Sequence, residues 1–291
     1  MTATKDPVAR NEWVACGWLG QIEPGASHDT MILGQPIRVY RDESDDYRVV
    51  EIDANAAEGR ELPVQTRYTC IFTTLGEPTR PLPEIAEFDE PDRVVVGCGS
   101  IGVSTSPYRL VENFLDMAHF SFIHVDTLGA TDKTEVLAYR TEHRKDVDEI
   151  WAVDCSYYQP AASKAANGGQ MTRYQYRVMS PFSVMLYKNI SEDSDRNDAI
   201  CVFIQPVTET RCLAYAPMAI VDNLNTPADI ADFQQSIFLE DRMILENQRP
   251  TLLPLDPTYE LPTRADASSI AFRRWLKAMN ISFGIHEKQA A

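Results

Sequence analysis

Histidine is scarce in this chain, at five in 291 residues, and basic side chains are outnumbered, with 27 Lys and Arg against 43 Asp and Glu for a net charge of −16. Negative charge in such excess repels phosphate backbones and anionic headgroups, so nucleic acid and acidic membranes are excluded as partners. A cationic small molecule or a basic docking surface is favoured. The six cysteines, Cys16, Cys70, Cys98, Cys155, Cys201 and Cys212, include no C-x-x-C pair. That spacing argues against a disulfide framework or a cysteine-rich metal site and predicts free thiols in a reducing compartment. No apolar run approaches the roughly 20 residues that cross a bilayer, and Met1 to Asp6 holds no apolar leader. The expected setting is a soluble, cytoplasmic protein without internal repeats or low-complexity tracts.

Two of the few histidines lie close together, in Glu112-Asn113-Phe114-Leu115-Asp116-Met117-Ala118-His119-Phe120-Ser121-Phe122-Ile123-His124. Imidazole is costly to bury among apolar groups unless a partner takes its lone pair, and a metal ion is the strongest such partner. Ser106-Pro107 is a helix-start signal, and Leu110, Val111, Phe114, Leu115 and Ala118 then recur at helical spacing as a buried stripe. This predicts Asp116 and His119 about one turn apart on one helix face. His124, five residues beyond His119, falls off that face, so the helix must end or widen between the two histidines, with Gly129 just past the stop. The spacing differs from the H-E-x-x-H of zinc proteases.

A third ligand is offered far downstream. Thr226-Pro227 opens a second helix along which Ile230, Phe233, Ile237, Asp241, Ile244 and Gln248 follow at steps of three or four. Asp241 thus sits on an apolar stripe. It must be protonated, paired with a cation or bound to metal, since burying an unpaired carboxylate costs on the order of 5 kcal/mol or more. Two histidines and one carboxylate with open positions left over match the facial triad of mononuclear non-haem Fe(II) oxygenases. Between the helices, period-two segments at Glu149–Tyr158, Met171–Met179, Phe182–Ile190, Ala199–Val207 and Cys212–Val221, with turns at Ala166–Gly169 and Glu192–Asp195, predict an antiparallel sheet flanked by helices in an α+β fold.

At these residues a family resemblance becomes specific. Asn113-x-x-Asp116-x-x-His119-x-x-x-x-His124 resembles the iron motif of the Rieske non-haem iron oxygenases. Glu240-Asp241-x-x-x-Leu245-Glu246-x-Gln248-Arg249-Pro250 resembles the helix that carries their third ligand. Leu253-Pro254-Leu255-Asp256, with Arg264 to Leu276, is similar to the branch that includes vanillate O-demethylase and the methylxanthine N-demethylases. The resemblance runs from about Val94 to Trp275. It implies a helix-grip (START/Bet v 1-like) catalytic domain over residues 91–291, Fe(II) on His119, His124 and Asp241, and O₂-dependent hydroxylation of an N- or O-methyl group that ends in demethylation and formaldehyde.

The chain also departs from the family, whose Rieske domain holds a [2Fe–2S] cluster through a C-x-H and a C-x-x-H pair. Neither occurs here. Trp13-Val14-Ala15-Cys16 and Leu33 to Arg41 resemble the first strands of that scaffold, but from Tyr47–Ile52 the chain passes through a short polar stretch to Arg67–Pro78, as if the cluster loops were deleted. Residues 1–90 are therefore expected to be a truncated, β-rich remnant with no cluster of its own, similar to the Rieske-less subunit of methylxanthine N7-demethylation. Electrons would come from a Rieske domain on a reductase or oxygenase partner, and from NAD(P)H only indirectly. In the family the aspartate matching Asp116 bridges an iron-bound histidine to a cluster histidine across a subunit boundary, which implies a homotrimer or a mixed hexamer and makes Asp116 the catalytic residue.

Plainer roles stand beside these. Asp116 at minimum orients His119, Asn113 caps or packs, and Phe114, Phe120, Phe122, Met185 and Tyr187 are expected in the core. His28, His143 and His286 are expected away from any metal. A small methylated heterocyclic or aromatic substrate fits the catalytic reading; the alternative is a non-catalytic subunit that stabilises a Rieske-bearing oxygenase.

Overall fold

The computed structural model describes residues 2–160, 169–191, 194–221 and 224–286. Asp6 caps a single helical turn, α1 (Pro7–Arg10), accepting the N–H groups of Val8 and Ala9 at 2.8 and 3.1 Å. Seven strands follow: β1 (Val14–Trp18), β2 (Ser27–Ile32), β3 (Gln35–Arg41), β4 (Tyr47–Ile52), β5 (Glu58–Leu62), β6 (Val64–Arg67) and β7 (Cys70–Thr73). They form two small antiparallel sheets, ordered β2-β3-β4-β5 and β1-β7-β6. The stretch after Ile52, expected as a polar connection, instead carries β5 and β6. Its composition reads as loop because β5 is an edge strand with four exposed positions, stapled by Arg60 to Glu51 at 2.9 Å and turning only Leu62 inward.

The rest of the chain builds one nine-stranded sheet. In order come β8 (Val94–Val96), β9 (Ser100–Val103), α2 (Pro107–Leu115), α3 (Phe120–Ile123), β10 (Arg140–Arg144), β11 (Glu149–Gln159), β12 (Gln170–Ser180), β13 (Ser183–Asn189), β14 (Asn197–Thr208), β15 (Arg211–Tyr215), β16 (Met218–Ile220), α4 (Pro227–Leu245), β17 (Leu253–Pro254), α5 (Ala267–Ala278) and β18 (Ile285–His286). The path is β10-β11-β12-β13-β14-β15-β9, with β16 pairing both β14 and β8, and every neighbour is antiparallel. The predicted strands appear within two residues, except that Cys212–Val221 breaks into β15 and β16 at Pro217, which has no N–H for the ladder. The turns expected at Ala166–Gly169 and Glu192–Asp195 fall largely outside the described residues.

Alternation puts Val178, Val184, Val202 and Ile204 on the core side, where they join Leu110 and Val111 of α2 and Phe272 and Leu276 of α5 in one cluster. α4 faces β11 to β14 across a cavity, so the sheet grips the helix as the α+β, helix-grip reading predicts. The small sheets pack on the large one: Leu33 and Gly34 donate to Pro206 and Val207 carbonyls at 2.5 and 2.9 Å, and Asp6 accepts from Ser282 and Phe283 N–H at 2.6 and 2.8 Å. No helix among the described residues is long and apolar enough to cross a membrane.

Candidate metal centre

Ser106 caps α2 through its hydroxyl and Pro107 occupies the first turn, as the sequence predicts. The helix then ends earlier than expected. α2 stops at Leu115, and Asp116, with extended backbone (φ −87°, ψ 130°), is its C-cap, so Asp116 and His119 do not share a helix face. The two histidines instead flank the single turn α3, His119 before it and His124 after it. Asp116 makes this break possible. Its carboxylate accepts the N–H groups of Ala118 and His119 at 2.8 and 3.2 Å, replacing the partners that the interrupted helix would have supplied.

Gly129 closes the segment behind α3. Its N–H donates to the His124 carbonyl at 3.1 Å, and a Cβ here would lie 2.4 Å from the Phe120 and Ser121 backbone, so only glycine permits the approach. α4 begins where predicted, with a capping box between Thr226 and Asp229. Ile237 is buried on its inner face, Asp241 is 14% exposed one turn later, and Gln248, the last member of the predicted stripe, is exposed.

This arrangement brings His119, His124 and Asp241 together. Their atoms form a nearly equilateral triangle, with His119 Nε2 to His124 Nε2 at 3.2 Å, His119 Nε2 to Asp241 Oδ1 at 3.2 Å and His124 Nε2 to Asp241 Oδ1 at 3.1 Å. The remaining ring nitrogens face carboxylates: Asp116 Oδ2 lies 3.1 Å from His119 Nδ1 and Glu240 Oε2 lies 2.6 Å from His124 Nδ1. Those partners assign the proton of each neutral ring to Nδ1 and leave both Nε2 lone pairs aimed at the Asp241 oxygen. Three lone pairs pointed at one spot repel unless a cation lies among them.

A proton can serve in part. Burial works against charging His119, but hydrogen bonds to Asp116 and Asp241 outweigh it and push its pKa up to about 9. Burial likewise opposes ionisation of Asp241, yet the two histidines pull it down to about 2. A divalent ion satisfies all three atoms at once. The triangle's edges of 3.1 to 3.2 Å are short enough for all three atoms to reach one ion at bonds of about 2.0–2.2 Å. The donor set and the carboxylates behind both imidazoles therefore fit a mononuclear Fe(II).

Asn113 Nδ2 donates to Asp241 Oδ1 at 3.3 Å, a role beyond capping. In the sequence Glu240 stands out only as part of the third-ligand motif; its position next to Asp241 on the helix is the available signal for its contact with His124. Of the aromatic and methionine residues expected in the core, Met185 and Phe120 are buried, Phe114 and Phe120 also line the cavity beside the cluster, and Phe122 is 67% exposed because α3 is too short to bury both faces. His143 pairs with Asp148 at 2.7 Å and His286 packs against Tyr259, while His28 lies on β2; none joins the cluster.

A helix-grip sheet closed over a two-histidine, one-carboxylate cluster describes the domain's class, and comparison with known families gives it a name. The chain belongs to the vanillate O-demethylase oxygenase C-terminal domain family, whose model matches residues 103–280. Among individual proteins it is 42% identical over 277 residues to the probable methylxanthine N7-demethylase NdmC of Pseudomonas sp. (strain TJI-51), covering 94% of this chain and 95% of that protein. It is 28% identical to the methylxanthine N3-demethylase NdmB of Pseudomonas putida, over 69% of this chain and 54% of that one. The fold matches the solved structure of NdmB from Pseudomonas putida CBB5 with a TM-score of 0.73 at 18% identity, over 95% and 94% of the two chains. It matches dicamba monooxygenase bound to 3,6-dichlorosalicylic acid with a TM-score of 0.70 at 16% identity, over 93% and 97%.

Proposed function

We propose that this chain is the oxygenase component of an N- or O-demethylase, with Fe(II) held by His119, His124 and Asp241 and electrons delivered by a Rieske domain on another polypeptide. Bound there, the iron would supply O₂-dependent hydroxylation of a methyl carbon on nitrogen or oxygen, after which the hydroxymethyl group leaves as formaldehyde. The observation that carries this reading is the triangle of three lone pairs with a carboxylate behind each imidazole. A subunit relieved of catalysis would have no physical reason to keep so costly an arrangement, which weighs against the purely structural alternative.

The chain's own residues have separable tasks. Asp116 and Glu240 hold the rings in register, and Asn113 restrains the Asp241 oxygen. Leu110, Phe114, Phe120, Ile237 and Phe238 exclude water from the cavity in which a small methylated ring would lie. Asp116 also lines an outer groove, which we assign to the Rieske-bearing partner; NAD(P)H then acts only through that partner. A homotrimer or a mixed hexamer would present the groove to a neighbouring Rieske domain. The test is iron content together with formaldehyde release from a panel of methylated purines and methoxybenzoates. We expect about one iron per chain, no [2Fe–2S] absorption, and formaldehyde only when the reductase carries a Rieske domain. Stoichiometric iron with no formaldehyde in that mixture would favour the structural alternative, and absence of iron would end the metal reading.

A further inference from the structure

One ring stands between the metal cluster and the tyrosines of the sheet. Phe120 is buried edge-on to His119 with centroids 4.9 Å apart, lies 6.0 Å from His124, and also meets Tyr157 at 5.5 Å and Tyr174 at 6.3 Å. Tyr174 stacks in turn on Tyr176 at 6.2 Å. An oxidising equivalent at the cluster therefore has a contiguous aromatic route into β11 and β12, the strands that carry these tyrosines.

The phenols along that route are not equivalent. A phenol that gives up an electron also sheds its O–H proton, so it serves as a donor only where the proton has an outlet. Tyr157 is buried and lies 2.5 Å from Ser121 Oγ, whose own hydrogen is committed to the Lys133 carbonyl at 3.0 Å. Tyr157 is therefore the donor of that pair, and the relay ends at an exposed residue. Tyr176 Oη has no hydrogen-bond partner among the described residues, and the Tyr174 phenol meets the Thr172 hydroxyl, which is itself fully buried. Of the three, Tyr157 has the outlet. Packing does not call for its oxygen, since replacing a buried hydroxyl pair by apolar groups of the same shape is nearly neutral, and Tyr157 does not line the substrate cavity.

We propose that Tyr157 is a redox-active tyrosine that discharges the iron centre when an oxidant arrives without substrate, and so protects the ligands from oxidation. The oxidant class is peroxide, which takes one electron from Fe(II) and one from Tyr157 as its O–O bond breaks. The Tyr157 proton leaves through Ser121, and that proton with one more from solvent completes two waters. Fe(III) and a neutral phenoxyl radical remain. This rests on the metal reading above and is independent of which substrate the cavity takes.

The experiment is freeze-quench electron paramagnetic resonance of the substrate-free, Fe(II)-loaded protein mixed with stoichiometric hydrogen peroxide. A phenoxyl signal should appear, and its hyperfine pattern should collapse when the protein is produced with ring-deuterated tyrosine. Tyr157→Phe should keep its iron and lose the signal, while mass analysis finds His119 and His124 oxidised several-fold more than in unmodified protein. Tyr174→Phe and Tyr176→Phe should retain the signal. Ser121→Ala keeps the phenol but removes its acceptor, so the signal should weaken several-fold, which provides a second variant at a different residue. No phenoxyl signal, a signal that survives Tyr157→Phe, or histidine oxidation unchanged in that variant would overturn the proposal. So would loss of iron from Tyr157→Phe before peroxide is added, which would make the phenol a structural pin for α3. Metal content is measured first, so a protein that takes up no iron fails the metal reading and this one together, whereas an iron-loaded protein without a radical fails this one alone.

Discussion

Asn113 lines two spaces that could hardly differ more. On one side is an inner cavity of about 90 Å³ walled by Leu110, Phe114, Phe120, Ile237 and Phe238. On the other is an open groove of about 570 Å³ whose walls carry Arg109, Glu112, Glu260 and Arg273, with Arg274 and Lys277 exposed at its edge. The first four form a charge network: Arg109 donates to Glu260 at 2.6 Å and to Glu112 at 3.3 Å, and Arg273 clasps Glu112 at 2.5 and 2.7 Å. The dry space suits a small ring and the charged one a protein surface. The partition between them is thin. Asp116 faces the groove, His119 faces the cavity, and 3.1 Å separates their side chains.

The largest expected effect comes from removing one corner of the triangle. Asp241→Ala should abolish stoichiometric iron and reduce formaldehyde release to background, read by metal analysis and product assay, whereas His143→Ala should leave both unchanged. Retention of iron in Asp241→Ala would show that the triangle is not the ligand set. Next comes the link itself. Asp116→Asn keeps the side chain's size and one acceptor oxygen, enough for the Ala118 N–H, but removes the charge and the second oxygen, which faces His119, so iron should stay within about twofold while product per electron consumed falls on the order of a hundredfold. Full coupled activity in that variant would reduce Asp116 to a local cap.

How much of this was legible before the structure follows from the range of the interactions. The strands, the α4 start and the three converging side chains rest on local signals, namely period two, Thr226-Pro227, two histidines five residues apart, and a carboxylate on an apolar stripe. The end of α2 was misplaced because the force that breaks it is a side chain turning back on its own backbone at Asp116, which no periodicity reports. β5 was missed for the opposite reason, since an exposed edge strand keeps its polar composition and gains its structure only from β4. The groove was illegible because Arg109 and Glu260 lie 151 residues apart and meet only after folding.

A smaller effect separates proton from metal at the cluster. His119 has its pKa raised from 6.5 to about 9 by Asp116 and Asp241, against the opposing pull of burial, so the metal-free protein holds a proton there at neutral pH. Its contribution to metal-free stability is complete below 6.5 and is lost as pH rises through 9. An incoming ion must expel that proton. Iron affinity should therefore climb by up to tenfold per pH unit between about 6.5 and 9 and then level off, with close to one proton released per ion at neutral pH, measurable by titration in buffers of different ionisation enthalpy. A flat profile across that window would mean that no proton is shared in the triangle.

The smallest effect probes the groove's rim. Arg274 and Lys277 project from α5 beside the paired network and make no ion pair among the described residues, in a chain whose net charge is −16. Against the overall charge, which favours a basic docking surface, this local basic edge attracts an acidic patch on the partner at short range, an attraction that acts on the encounter rate and is screened by salt over about 8 Å at physiological ionic strength. Arg274→Glu with Lys277→Glu should slow coupled turnover several-fold at limiting reductase and low salt. The deficit should shrink toward zero as salt rises, with iron content and substrate affinity unaltered, because neither residue lines the inner cavity. Asp116→Asn should lose coupling at every salt concentration. If the charge-reversed protein instead keeps its full rate at low salt, the partner docks elsewhere, and the contrast between a dry substrate side and a charged docking side would need a different surface around Asp116.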